Sequence, residues 1–104
     1  MIKLKQSVRP SSLVILAAIA NVAQLHGREV TITSGNDSTH KKGSRHYINA
    51  ALDVRSKDFP SKAVKLAFVV AVLARLGPDY EGFLEAEGTA NEHFHFERQV
   101  FPLP

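Results

Sequence analysis

Two short stretches of this chain carry side chains that can hold a divalent metal and activate water beside it. The first is Ser44-Arg45-His46-Tyr47-Ile48-Asn49-Ala50-Ala51-Leu52-Asp53, which places a histidine and an aspartate seven residues apart. The second is Asn91-Glu92-His93-Phe94-His95-Phe96-Glu97, with a glutamate three residues before its last histidine. Together they offer two imidazole nitrogens, one carboxylate oxygen and a further carboxylate. Three protein ligands and one open position is the arrangement of a catalytic zinc. An unligated carboxylate nearby can serve as the general base for the attacking water. The chemistry these residue types suggest is metal-assisted hydrolysis. The chain has no cysteine, so disulfides and thiolate metal sites are excluded, and any metal must sit on His, Asp or Glu.

The elements that must position these residues follow from local pattern. Pro10-Ser11-Ser12 is a helix start and Gly27 a stop after His26, which predicts a helix over 12–26. Its sides are mostly apolar, so deep burial is expected. Residues 1–10 read as a basic arm. Residues 29–34 alternate polar and β-branched apolar types, the mark of a strand. A polar loop rich in turn residues follows over 35–43. Residues 50–54 predict a short apolar strand. Asp58, Pro60 and Ser61 open a second helix that runs to Leu76 and stops at Gly77-Pro78. Residues 80–85 and 92–98 predict two more strands around a turn at 88–90. The order α-β-β-α-β-β predicts a single domain over 1–104 of the α+β class, with a small, mainly antiparallel sheet and helices packed on one side. Alternation along the last strand sends His93 and His95 to one face and Phe94 and Phe96 to the other. The Phe pair then packs on the helices while the His pair faces a cleft. Asp53 stands in an otherwise apolar strand, where a buried carboxylate is costly unless it is paired or ligates a metal.

The motif Ser44-x-His46-x-x-Asn49-x-Ala51-x-Asp53 resembles the S-x-H-x-x-G-x-A-x-D motif of the zinc D-alanyl-D-alanine carboxypeptidase and L-alanyl-D-glutamate endopeptidase family. Glu92-His93-Phe94-His95 resembles that family's closing E-x-x-H, and Thr33-Ser34-Gly35 matches a third recurrent element. The elements come in the family's order and span about residues 12–98. The resemblance implies His46, Asp53 and His95 as ligands of Zn2+, Glu92 as catalytic base, and a hedgehog-like peptidase fold. It also implies a peptidoglycan stem peptide as substrate, cut at a D-Ala-D-Ala or L-Ala-D-Glu bond, as in a compact phage-type endolysin or wall-remodelling enzyme. His93, on the same face as His95, is the candidate to steady the tetrahedral intermediate or to replace one of the ligands. Two positions depart from the family pattern. Asn49 stands where the family usually has Gly, the mildest replacement if that position requires positive φ. Asp37 stands where the family often has an arginine that holds substrate. The substrate side of the site then falls to Ser44 and Asp37, with Arg45 and His40 as nearby residues able to supply the missing donor.

Each residue also has a plainer reading. His46 fits an exposed loop, Asp53 an ion pair with Arg55 or Arg45, and His95 a hydrogen-bonded core histidine. Glu92 fits a solvated strand-end charge, and Glu97 a surface residue or a partner behind a ligand. A metal-binding interaction domain without turnover is the alternative function. The chain of 104 residues, 44% hydrophobic and 22% charged, has the balance of one ordinary globular domain. Its formal charge of +3 suits a solvated basic surface or attraction to a polyanion such as a wall polymer. No interleaved basic and aromatic stretch points to nucleic acid, and no apolar run reaches the ~18–20 residues of a membrane span. Lys3, Lys5 and Arg9 before the apolar run 13–20 imitate a signal peptide. The run is read instead as a helix of the mature domain, so the protein is expected to be made in the cytoplasm, to reach the wall by another route, and to act as a monomer.

Overall fold

The structure, a computed structural model, describes residues 2–5, 12–34 and 51–98. The elements are β1 (Ile2–Leu4), α1 (Leu13–Leu25), β2 (Val30–Ser34), β3 (Ala51–Arg55), α2 (Lys62–Leu76), β4 (Tyr80–Glu85) and β5 (His93–Arg98). The five strands form one sheet in the order β1-β2-β3-β5-β4. Only the β1–β2 pair is parallel; the others are antiparallel. This is a small α+β fold.

Local chemistry sets the helix ends. Ser61 caps α2 in the expected way, its Oγ accepting from the Val64 N–H at 3.2 Å. Gly77 ends the helix at φ 93°, a conformation that favours glycine, and its N–H donates to the Leu73 carbonyl at 2.9 Å. Ser12 does something different at the start of α1. Its side chain makes no cap hydrogen bond; the buried Oγ donates instead to the Ala51 carbonyl at 3.3 Å, tying the helix to β3.

One core lies between the helices and one face of the sheet. Ile15, Ile19 and Val22 of α1 and Phe68, Val69 and Val72 of α2 meet Val30, Ile32, Leu52, Val54, Phe94 and Phe96 of the strands. Phe59, Phe68 and Phe94 form an aromatic cluster with centroids 4.9–5.0 Å apart. Burying each such ring contributes roughly 1.5–3 kcal/mol. Gly82 of β4 sits opposite Phe96 of β5. A Cβ there would come within 2.5 Å of the Phe96 ring, so the absent side chain is what lets the ring lie on β4. With Phe94 and Phe96 locked inward, β5 has one register, because a one-residue slip would expose both.

Two expectations are corrected. Residues 2–4 of the expected basic arm are an edge strand: they pair with β2, Ile2 packs against the core and Lys3 pairs with Glu29. The first helix is not buried on most sides. Ile15, Ala18, Ile19, Val22 and Ala23 form a single buried stripe, whereas Val14 and Leu25 are 58% and 67% exposed. In two layers, a helix that covers a sheet has solvent on its far side.

Candidate metal centre

The pairing of β3 with β5, and of β5 with β4, arranges the uncovered face of the sheet in rows. Asp53, His95 and Phe83 lie side by side, as do Arg55, His93 and Glu85 in the next row. Glu97 faces Ala51 on one side and Glu81 on the other. Each row exists because the alternate residues Leu52, Val54, Phe94 and Phe96 are held in the core. The register between β2 and β3 is irregular from Ile32 to Ser34. Such a bulge redirects side chains locally, and Thr33 borders the cleft on this face.

His95 is the centre of the first row and is only 5% exposed. Its Nδ1 lies 2.8 Å from Asp53 Oδ1 and its Nε2 lies 2.6 Å from Glu97 Oε1. The Phe83 ring tilts against it with centroids 5.1 Å apart. Burial alone pushes the imidazole down, but hydrogen bonds to Asp53 and Glu97 and the charge of both carboxylates outweigh it, so its pKa is raised. Both ring nitrogens face acceptors, a geometry that suits the doubly protonated ring. The expected clustering of Asp53 with His95 and the separation of the His and Phe faces are both present. Glu97 is the partner at the other ring nitrogen, and a buried His95 bonded at both nitrogens also fits the plainer reading of a hydrogen-bonded core histidine. Asp53 pairs with His95 rather than making a described ion pair with Arg55.

His93 shares this neighbourhood. Its Nε2 lies 2.9 Å from Glu85 Oε1 and 3.8 Å from Asp53 Oδ2, and its Nδ1 lies 2.7 Å from the Asn91 carbonyl. Acting as a metal ligand through Nε2 would require His93 to give up Glu85.

Glu92 is not a solvated strand-end charge. Lys65 Nζ and Ser56 Oγ donate to its Oε1 at 2.6 and 2.7 Å, and the Gly88 N–H donates to Oε2 at 3.0 Å. These bonds tie the turn before β5 to α2 and to the end of β3. The Lys65 hydrogen bond first, then those from Ser56 and Gly88, hold the Glu92 carboxyl at about 2. The sequence carries no signal for this anchoring, since Ser56 and Lys65 are remote from Glu92 and unremarkable in type. Asp53, Arg55, Lys65, Glu92 and His93 all line one open cleft of about 770 Å³.

Asp53 and His95 are of the residue types that zinc takes as ligands. Two ligands of a tetrahedral zinc stand ~3.3 Å apart, so Asp53 Oδ1 and His95 Nδ1, at 2.8 Å, need to part by only about 0.5 Å. A ligating histidine usually donates its other N–H to a carboxylate, which is the place Glu97 takes. Among the described residues no three His, Asp or Glu side chains converge as a metal-holding group. The third implied ligand, His46, lies outside the described residues, as do Asp37, His40, Ser44, Arg45 and Asn49. Neither family models, nor curated proteins, nor solved structures give a match to this chain.

Proposed function

We propose that this chain is a zinc-dependent peptidase of the hedgehog-like type, acting on peptidoglycan stem peptides at the bacterial cell wall. The observation that carries the reading is the Asp53–His95 pair, 2.8 Å apart on adjacent strands, backed by Glu97 and bordered by an open cleft of about 770 Å³. Zinc held by His46, Asp53 and His95 would supply Lewis acidity toward water and toward the peptide carbonyl. Glu97 keeps the His95 ring oriented. Glu92 takes the proton of the attacking water and passes it to the leaving amine. His93, on the cleft wall beside Asp53, would donate to the oxyanion once its Nε2 leaves Glu85.

A carboxyl held at about 2 by three donors is a weak base as it stands, and general-base efficiency rises as the pKa approaches the working pH. Turnover therefore requires Glu92 to loosen from Lys65 when substrate enters. The same three donors favour a second reading, a metal-binding domain that does not hydrolyse. Mass spectrometry of purified stem peptides incubated with zinc-loaded protein separates the two. Loss of terminal D-Ala, or a cut after L-Ala, absent in Glu92→Ala that still binds zinc, is the expected result. Stoichiometric zinc without cleavage of any stem peptide would favour the second reading, and no zinc binding at all would reject both.

A further inference from the structure

Among the described residues that line the cleft, three cations face two carboxylates. Alternation along β3 puts Asp53 and Arg55 on the open face, and Arg55 is paired across to His93. The cations on the cleft wall are Arg55, Lys57 and Lys65, against the carboxylates Asp53 and Glu92. Lys65 is neutralised by Glu92 at 2.6 Å, and Asp53 lies between His95 at 2.8 Å and His93 at 3.8 Å. Arg55 and Lys57 make no hydrogen bond or ion pair with any other described residue.

Arg55 is also half-buried, unlike the exposed Lys57, and borders a second cleft of about 580 Å³ with Lys3, Lys5, Glu29 and Asp58. Lys3 there already pairs with Glu29 at 3.3 Å. A guanidinium in the wall between two clefts is partly shielded from water, where a charge interaction is stronger than at an exposed site. Its planar fork matches a carboxylate with two parallel hydrogen bonds, which a lysine cannot reproduce. Along a strand, two residues span ~7 Å. That distance separates Arg55 from Asp53 and corresponds to one or two residues of an extended peptide.

We propose that Arg55 receives a free carboxylate of a peptide laid in this cleft and thereby sets the preference of the site for acidic peptides, with the carboxylate one or two residues from the reacting bond. The proposal rests on the peptidase reading for the bond that is cut, but carboxylate recognition is measurable without turnover. The probes are N-acetyl-D-alanyl-D-alanine and its C-terminal amide, titrated into the full chain, metal-free and zinc-loaded, with NMR detection. The acid should bind at least about ten-fold more tightly than the amide, as a charge-assisted pair implies. Arg55→Gln should bring the two probes to similar affinity, and Arg55→Lys should restore part of the preference. Equal binding of acid and amide by the wild type, no saturable binding of either, or an unchanged preference in Arg55→Gln would each overturn the proposal. A wild type that prefers the acid, with the preference lost in Arg55→Gln, yet cleaves no peptide would remove the peptidase reading and leave the role of Arg55 standing. Cleavage without acid preference would do the reverse.

Discussion

Replacing Glu97 by alanine tests whether His95 presents Nδ1 to a metal. The Glu97 carboxylate lies 2.6 Å from His95 Nε2, and the His95 side chain is 7% exposed, so water cannot readily take its place. Losing a carboxylate behind a ligating histidine lowers metal affinity by about 10- to 100-fold, or ~1.4–2.7 kcal/mol. The short contact and the burial put Glu97→Ala toward the upper end. Glu97→Gln keeps an acceptor oxygen without its charge and should lose about ten-fold. The assay is competition for zinc against a chromophoric chelator near neutral pH, with thermal melts of each metal-free variant to establish that it folds. His95→Ala serves as the reference for loss of a ligand. Wild-type zinc affinity in Glu97→Ala, alongside a large loss in His95→Ala, would refute the reasoning that Nε2 leans on Glu97 while Nδ1 binds. A wild type that takes up no zinc would refute the centre itself.

In metal-free protein, the folded Glu92 carboxyl at about 2 against an ordinary 4.5 contributes stability that is fully present above pH ~4.5 and lost as pH falls through ~2. Denaturant midpoints measured from pH 6 to pH 2 should fall less steeply in Glu92→Gln, and parallel curves would reject the assignment. Lys65→Met removes the largest cause of that depression, so the Glu92 carboxyl should titrate closer to 4.5 by carbon-detected NMR; an unmoved titration would mean Ser56 and Gly88 suffice. Phe94→Ala empties the centre of the aromatic cluster and should cost about 3–5 kcal/mol, read from denaturant unfolding, with a loss under about 1 kcal/mol contradicting the packing described. Gly82→Ala places a methyl where the Phe96 ring lies and should destabilise by about 1–3 kcal/mol, whereas a stabilised variant would show that β4 yields freely.

Much of the architecture was legible because its causes are local. The Ser61 cap, the Gly77 stop and the period-two alternation of 93–98 act within a few residues, and the helix and strand positions follow from them to within a residue or two. The edge strand Ile2–Leu4 was not legible, since three residues are too short a run for alternation to stand out. The exposed flank of α1 was misread for a related reason: composition reports how apolar a helix is, not how many layers surround it.

At the site the division is similar. The sequence by itself determined which residues could do chemistry and which face they share, because alternation on a strand with two buried phenylalanines leaves His93 and His95 only one side to occupy. Only the tertiary structure decided their partners. Asp53 meets His95 across forty-two positions because two strands pair in one register. Glu92 meets Lys65 and Ser56 because a helix and a strand end converge on its turn. Arg55 makes no ion pair among the described residues, although Glu29 and Asp58 border the same second cleft. Electrostatic state depends on distance in space, and distance between remote residues is what the packed core sets.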